Sequence, residues 1–164
     1  MTNEEVYKYI NSEQFHLKRG NIVWADLPTN RGNVQYGRRK VVIVSNNYNN
    51  YYGTILQVVP LTSKNKKFKL HIHRSLNDYF CPEQLQAIDK SCVLDEIIHE
   101  TASEEQMKML DDLILVQLNI NNMDYKTIKG AIRKYDKIGE WKNTDARKVT
   151  LEYNWRNSFS DALC

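Results

Sequence analysis

The chain has 164 residues, 41% of them hydrophobic and 26% charged, which is enough for one well-filled core and short for two. No apolar run approaches the ~20 residues of a membrane-spanning helix, and the opening MTNEEVYKYINSEQF has glutamates where a signal peptide carries positive charge, so a cytoplasmic protein without a membrane partner is expected. Cys81, Cys92 and Cys164 are odd in number and widely spaced with no CxxC pair, which points to reduced structural thiols rather than a disulfide framework or a zinc site.

Net charge is +3, and its distribution says more than its sum. Residues 1–80 carry 12 Lys and Arg against 5 Asp and Glu, residues 81–124 carry 2 against 10, and residues 125–164 carry 9 against 5. Between Arg31 and Arg74 there are nine basic residues and no acidic one, a candidate footprint for a polyanion. Taken alone, Lys64, Lys66, Lys67 and Lys69 also fit an ordinary solvated face.

In chain order, residues 3–12 suit a short helix with Val6, Tyr7 and Ile10 on one side, too short to persist without docking. Residues 1–17 are read as a helical appendage. Ile22 to Leu27 is rich in β-branched and aromatic residues and stops at Pro28, so it reads as a strand. Val41-Val42-Ile43-Val44 is continuously apolar, as in a strand covered on both faces. Between these runs lies a polar loop with Arg31, Gly32, Asn33, Gln35, Gly37, Arg38 and Arg39, followed by Lys40. Guanidinium groups on a loop held by a sheet suit bidentate contact with phosphate; a solvated hairpin tip is the plain alternative.

Residues 46–53 (NNYNNYYG) read as turns, with tyrosines that either cover the end of the sheet or stack on bases. Residues 54–62 (TILQVVPLT) form a third strand, with Pro60 marking an edge or bulge and Thr62 and Ser63 emerging at its end. Residues 68–74 alternate, with Lys69, His71 and His73 on one face. His71 and His73 lack a third metal ligand nearby, so an exposed strand face is the simpler reading. Residues 91–98 (SCVLDEII) read as another strand. Ser103 and Gln106 then open a helix with Met107, Leu110, Ile114 and Leu118 at helical spacing, expected to pack on the sheet. A second, basic helix beyond Met123 and a late strand over 147–155 are also expected.

The order of these pieces resembles the MazF/PemK family of toxin endoribonucleases from bacterial toxin-antitoxin pairs. The resemblance is carried by KRGNIVWADLP, then QYGRRKVVIVSN, then TILQVVPLTS, then SCVLDEI before a helix, over roughly residues 18–120. Each motif is weak alone, and their order and spacing make the match specific. It implies an α+β fold, a small, strongly curved, SH3-like β-barrel with packed helices, spanning residues 18–123 and usually a homodimer, with residues 124–164 as an extension of no assigned role. Matching the loop glycine and the following strand places the family's catalytic arginine on Arg39, its threonine on Thr62 and its later glutamate on Glu96. Three departures stand out: Tyr36 replaces a glycine, Lys40 a proline, and Ile98-His99 an Ile-Arg pair.

The resemblance further implies cleavage of single-stranded RNA without a metal or other cofactor, the 2′-hydroxyl attacking its own phosphate to leave a 2′,3′-cyclic phosphate and a 5′-hydroxyl. Arg39 and Thr62 would supply the donors that the phosphorane needs, and Glu96 would act as base or orient the arginine. Arg31, Asn33, Gln35, Gly37, Arg38, Lys40, Ser63, Lys64, Lys66 and Lys67 would track the RNA backbone. The same cationic surface suits an acidic antitoxin tail, in a complex that the family also uses to bind DNA. Two other readings stay open: a non-catalytic toxin of this barrel type that binds DNA gyrase, and a small barrel that only binds RNA.

Overall fold

The structure is a computed structural model that describes residues 1–29, 32–64, 72–75, 78–95 and 100–120, with only the backbone described at 72–75. Its contacts divide the chain into two units. One comprises Met1–Leu61 and Gln84–Ser103, the other Thr62–Glu83 and Glu104–Cys164.

The first unit begins with helix α1, Asn3–Ile10. Thr2 caps it reciprocally: its hydroxyl accepts from the Glu5 amide at 3.2 Å, and the Glu5 carboxylate accepts from the Thr2 amide at 2.6 Å. Val6 and Ile10 are buried with Phe15, and Tyr9, Leu17 and Tyr51 pack around them. Tyr7, expected on that face, is 67% exposed. Tyr7 and Tyr9 flank the Val6–Ile10 stripe equally, one on each side, and it is the Tyr9 side that meets Phe15 and Tyr51.

Strands β1, Asn21–Leu27, and β2, Gly37–Ile43, pair antiparallel from Ile22↔Val42 to Leu27↔Gly37. Strand β2 starts earlier than its apolar run, so Arg38, Arg39 and Lys40 are strand residues rather than the end of a loop. Strand β3, Ile55–Thr62, pairs with β2 from Val41↔Pro60 to Ile43↔Val58. Two short strands complete this sheet. They are named here β6, Gln86–Asp89, on β3, and β7, Glu100–Thr101, on β1, leaving β4 and β5 for the second unit. The order within the unit is β6-β3-β2-β1-β7. Pro60 lies past Val58, the last β3 residue paired with β6, so its missing donor costs that ladder nothing.

One face of the sheet buries Val23, Ala25, Leu27, Val41, Ile43, Leu56, Val58 and Ile88 in a single cluster. On the other, Ile22, Val42 and Val59 are also fully buried, which is why the sequence of β2 runs apolar without alternation.

Two expectations are corrected in this unit. Residues 46–53, expected as turns, hold a six-residue helix α2, Asn47–Tyr52. Asn46 caps it by accepting from the Asn49 amide at 2.8 Å, and the Gly53 amide closes it on the Asn49 carbonyl at 2.8 Å. Its tyrosines divide: Tyr51 packs edge-on against Tyr9 and Phe15, while Tyr48 and Tyr52 are exposed. Residues 91–95 are not a strand. Lys90–Cys92 is a 3₁₀ turn, induced where the Asp89 carboxylate accepts from the Ser91 amide at 2.8 Å. The chain then touches β1 through a single bridge, Val93 to Ala25, and a bond from the Leu94 amide to the Trp24 carbonyl.

In the second unit, β4, Ile72–Ser75, and β5, Asp78–Phe80, form an antiparallel hairpin with an irregular register between His73 and Ser75. Helix α3 runs Glu104–Gln117 with Met109, Leu110 and Leu113 buried. The expected stripe through Met107, Ile114 and Leu118 is rotated: Leu118 lies beyond the helix and is exposed. The expected second helix, the late strand, residues 65–71 and the side chain of His73 lie outside the described residues.

Candidate active site

The loop between β1 and β2 is shaped by two glycines. Gly32 and Gly37 adopt φ of +72° and +71°, and a Cβ on either would meet nothing within 4 Å, so backbone conformation alone asks for glycine there. Asn33, Val34 and Tyr36 are exposed between them, whereas Gln35 is buried, 8% exposed.

Both ends of the Gln84 side-chain amide grip this loop: its oxygen accepts from the Gln35 amide at 3.0 Å, and its nitrogen donates to the Asn33 carbonyl at 3.3 Å. Sequence reasoning missed Gln84. A glutamine 49 residues away from its partner in the chain carries no local signal.

The β1–β2 register sorts the basic residues by face. Arg39 sits opposite Ala25 and one step along from Val41, so it extends the line of core residues beyond the edge of the apolar cluster. Its Nε donates to the Tyr36 carbonyl at 3.0 Å. That bond leaves the terminal nitrogens, with four N–H groups, directed away from the anchor. Arg38 and Lys40 belong to the opposite face. The Arg38 guanidinium lies over the Trp24 ring, 5.3 Å from its centroid. Lys40 Nζ pairs with the Glu100 carboxylate at 3.1 Å, tying β2 to β7. Of the two arginines, Arg39 is therefore the one on the core side of the sheet.

Thr62 ends β3 and belongs to the second unit; it is 6% exposed. Its hydroxyl oxygen accepts from the Lys64 amide at 3.2 Å, which turns the chain and leaves the hydroxyl proton available to another acceptor. Ser63 and Lys64 follow it and are exposed. The structure thus brings Asn33, Gln35, Gly37 and Arg39 together within the first unit and Thr62, Ser63 and Lys64 within the second. Arg31, Lys66, Lys67 and Glu96 lie outside the described residues. Among the described residues no three His, Cys, Asp or Glu side chains cluster as a metal site would require, and no helix is long and apolar enough to cross a membrane.

Comparison with known proteins bears on the fold and the family. An endoribonuclease MazF of Staphylococcus epidermidis is 27% identical over 118 residues, which cover 66% of this chain and 97% of that protein. Among solved structures, MazF from Deinococcus radiodurans in one crystal form has a TM-score of 0.56 at 18% identity, covering 63% of this chain and 96% of that one. An endoribonuclease from a mycobacterial species has a TM-score of 0.52 at 18% identity, covering 63% and 92%. A MazE-MazF structure from Deinococcus radiodurans scores 0.51 at 19% identity, covering 63% and 96%. These likenesses show the fold, α+β around an antiparallel sheet, as the sequence resemblance implies. Residues 18–118 match the family described as PemK-like, MazF-like toxin of type II toxin-antitoxin system, and the chain belongs to that family.

Proposed function

We propose that this toxin is an endoribonuclease that cuts single-stranded RNA at a short sequence, with Arg39 and Thr62 as its catalytic residues. The observation that carries the reading is the placement of Arg39 on the core side of β2, tethered through Nε to a backbone carbonyl with its other donors unspent on that bond. Attack of a 2′-hydroxyl on the adjacent phosphate gathers negative charge on the non-bridging oxygens. A pre-aimed guanidinium answers that charge without reorganising at the moment of reaction. The Thr62 hydroxyl keeps a proton to donate to the same charge or to the leaving 5′-oxygen. A guanidinium holds its proton too tightly to serve as a good general acid, so its role is electrostatic.

Glu96 completes the assignment as base or orienting carboxylate. Arg31, Arg38, Lys40 and the basic segment after Thr62 contact the RNA backbone. The working form is a cytoplasmic homodimer whose cationic surface is closed off by an acidic antitoxin, in keeping with the MazE-MazF structure among its structural neighbours.

The test is digestion of a long single-stranded RNA in EDTA, with primer extension to locate the cuts. Wild type should cut at one recurring short sequence and leave 2′,3′-cyclic phosphate ends. Arg39→Ala and Thr62→Ala should each lower the cleavage rate by about 10²-fold or more while remaining folded. Intact RNA with folded wild type, or full activity in both variants, would overturn the reading.

A further inference from the structure

An arginine acts on a phosphorane only if its fork is aimed, and a long flexible side chain does not aim itself. In this protein the direction of the Arg39 guanidinium is set by where the Tyr36 carbonyl stands, because that carbonyl accepts from Nε at 3.0 Å. Tyr36 stands on a stretch of backbone whose side chains, the buried Gln35 aside, face outward. Asn33, Val34 and the Tyr36 side chain are exposed, and the glycines at either end have open space around them. Gln84, at the end of a 3₁₀ turn, Pro82–Gln84, reaches this stretch from elsewhere in the chain. Its amide takes one donor and one acceptor of the loop at once, the Gln35 N–H at 3.0 Å and the Asn33 C=O at 3.3 Å. Gln84 is itself held in place, its carbonyl accepting from Gln86 Nε2 at 3.4 Å where the chain enters β6.

We infer that Gln84 is a positioning residue for Arg39: by clamping Asn33 and Gln35 it fixes the Tyr36 carbonyl, and the Tyr36 carbonyl fixes the arginine. The inference rests on the catalytic role proposed for Arg39. It adds a dependence that the role alone does not contain. The two bonds separate chemically. A glutamate at position 84 still accepts from the Gln35 amide but sets a carboxylate oxygen against the Asn33 carbonyl, so it keeps half of the clamp. An alanine keeps neither half.

The experiment compares wild type, Gln84→Ala, Gln84→Glu, Arg39→Ala and the Gln84→Ala/Arg39→Ala double variant, in steady-state cleavage kinetics on one RNA with substrate in excess. Amide hydrogen exchange at Gln35 is followed alongside. Gln84→Ala should lower kcat by about ten- to a hundredfold with KM within about threefold, because a misaimed group costs rate more than it costs binding. Gln84→Glu should fall between it and wild type. In the Arg39→Ala background the same Gln84→Ala change should cost less than about threefold, since nothing remains to be aimed. The Gln35 amide should exchange faster once its acceptor is gone.

Equal losses in both backgrounds would show that Gln84 acts on the fold rather than through Arg39, and would overturn the inference. So would a Gln84→Ala protein with wild-type kcat, or a Gln35 amide that exchanges as before. Failure of the underlying assignment looks different: Arg39→Ala alone would then cut at the wild-type rate, or wild type would leave RNA intact.

Discussion

Asn50 is a polar side chain with no exposed surface in the first unit. Its amide nitrogen donates to the Leu17 carbonyl at 2.8 Å and the Ser45 carbonyl at 3.0 Å, and its oxygen accepts from the Ser45 hydroxyl at 2.5 Å. One side chain thus joins the end of β2, helix α2 and the segment entering β1. Replacing it with alanine removes all three bonds and leaves two part-buried carbonyls to find other donors, at about 1–3 kcal/mol for each group left unsatisfied. Asn50→Ala should therefore lower unfolding free energy by about 2–4 kcal/mol, read as a shift in denaturant midpoint at unchanged slope. A shift under about 0.5 kcal/mol would mean that water takes over these bonds. Nothing local in NNYNNYYG marks this asparagine out from its neighbours. The choice between Arg38 and Arg39 was unreadable for a related reason. Alternation separates the two arginines, but Val41, Val42, Ile43 and Val44 are buried on both faces, so the pattern does not say which side is the core. The pairing of Arg39 with Ala25 decides it, and pairing is a tertiary fact.

Among the elements, β1, β2 and β3 were legible because their residues are β-branched and bounded by turn signals. Helix α2 was not: asparagine and tyrosine are weak helix formers, and six residues give no period to read. The misread at 91–95 has a nameable cause in the Asp89 cap. The Asp89 carboxyl is held below its ordinary value, first by a hydrogen bond from the Ser91 hydroxyl and then by the Ser91 amide. Both favour the charged form. A carboxyl whose folded value is depressed adds stability above its unfolded value, near 4, and loses it as pH falls through the folded value. The 3₁₀ turn should thus loosen only below about pH 4. Ser91→Ala deletes the larger of the two hydrogen bonds, so the Asp89 resonance in an NMR titration should move up toward the ordinary aspartate range. An unchanged midpoint would show that the amide bond alone sets it. The group is exposed, so this belongs to local order and not to global stability.

Across the whole molecule, what divides this chain from its relatives is length. The match to the Staphylococcus epidermidis protein covers 97% of that protein but 66% of this chain, and the family match ends at residue 118. Residues 121–164 hold nine Lys and Arg against six Asp and Glu, leaving fourteen against fourteen in residues 1–120, so the whole net charge of +3 resides in the extension. A polyanion feels that difference. Attraction between a cationic segment and RNA acts at a distance and weakens as salt screens it, by about −0.7 in log–log slope per phosphate neutralised on a single strand. The chemistry proposed for Arg39 and Thr62, by contrast, lies within the part shared with the relatives. A chain ending at Ile120 should therefore fold and cut the same sequence with kcat within about threefold of the full chain. Its KM should rise, and its affinity for fluorescent single-stranded RNA should fall less steeply with KCl, by one or more units of that slope. An unaltered slope would mean that the extension does not touch RNA and that the basic loop supplies the attraction alone. A truncated chain that melts early or loses kcat would make residues 121–164 part of the working fold, which the span shared with the relatives gives no reason to expect.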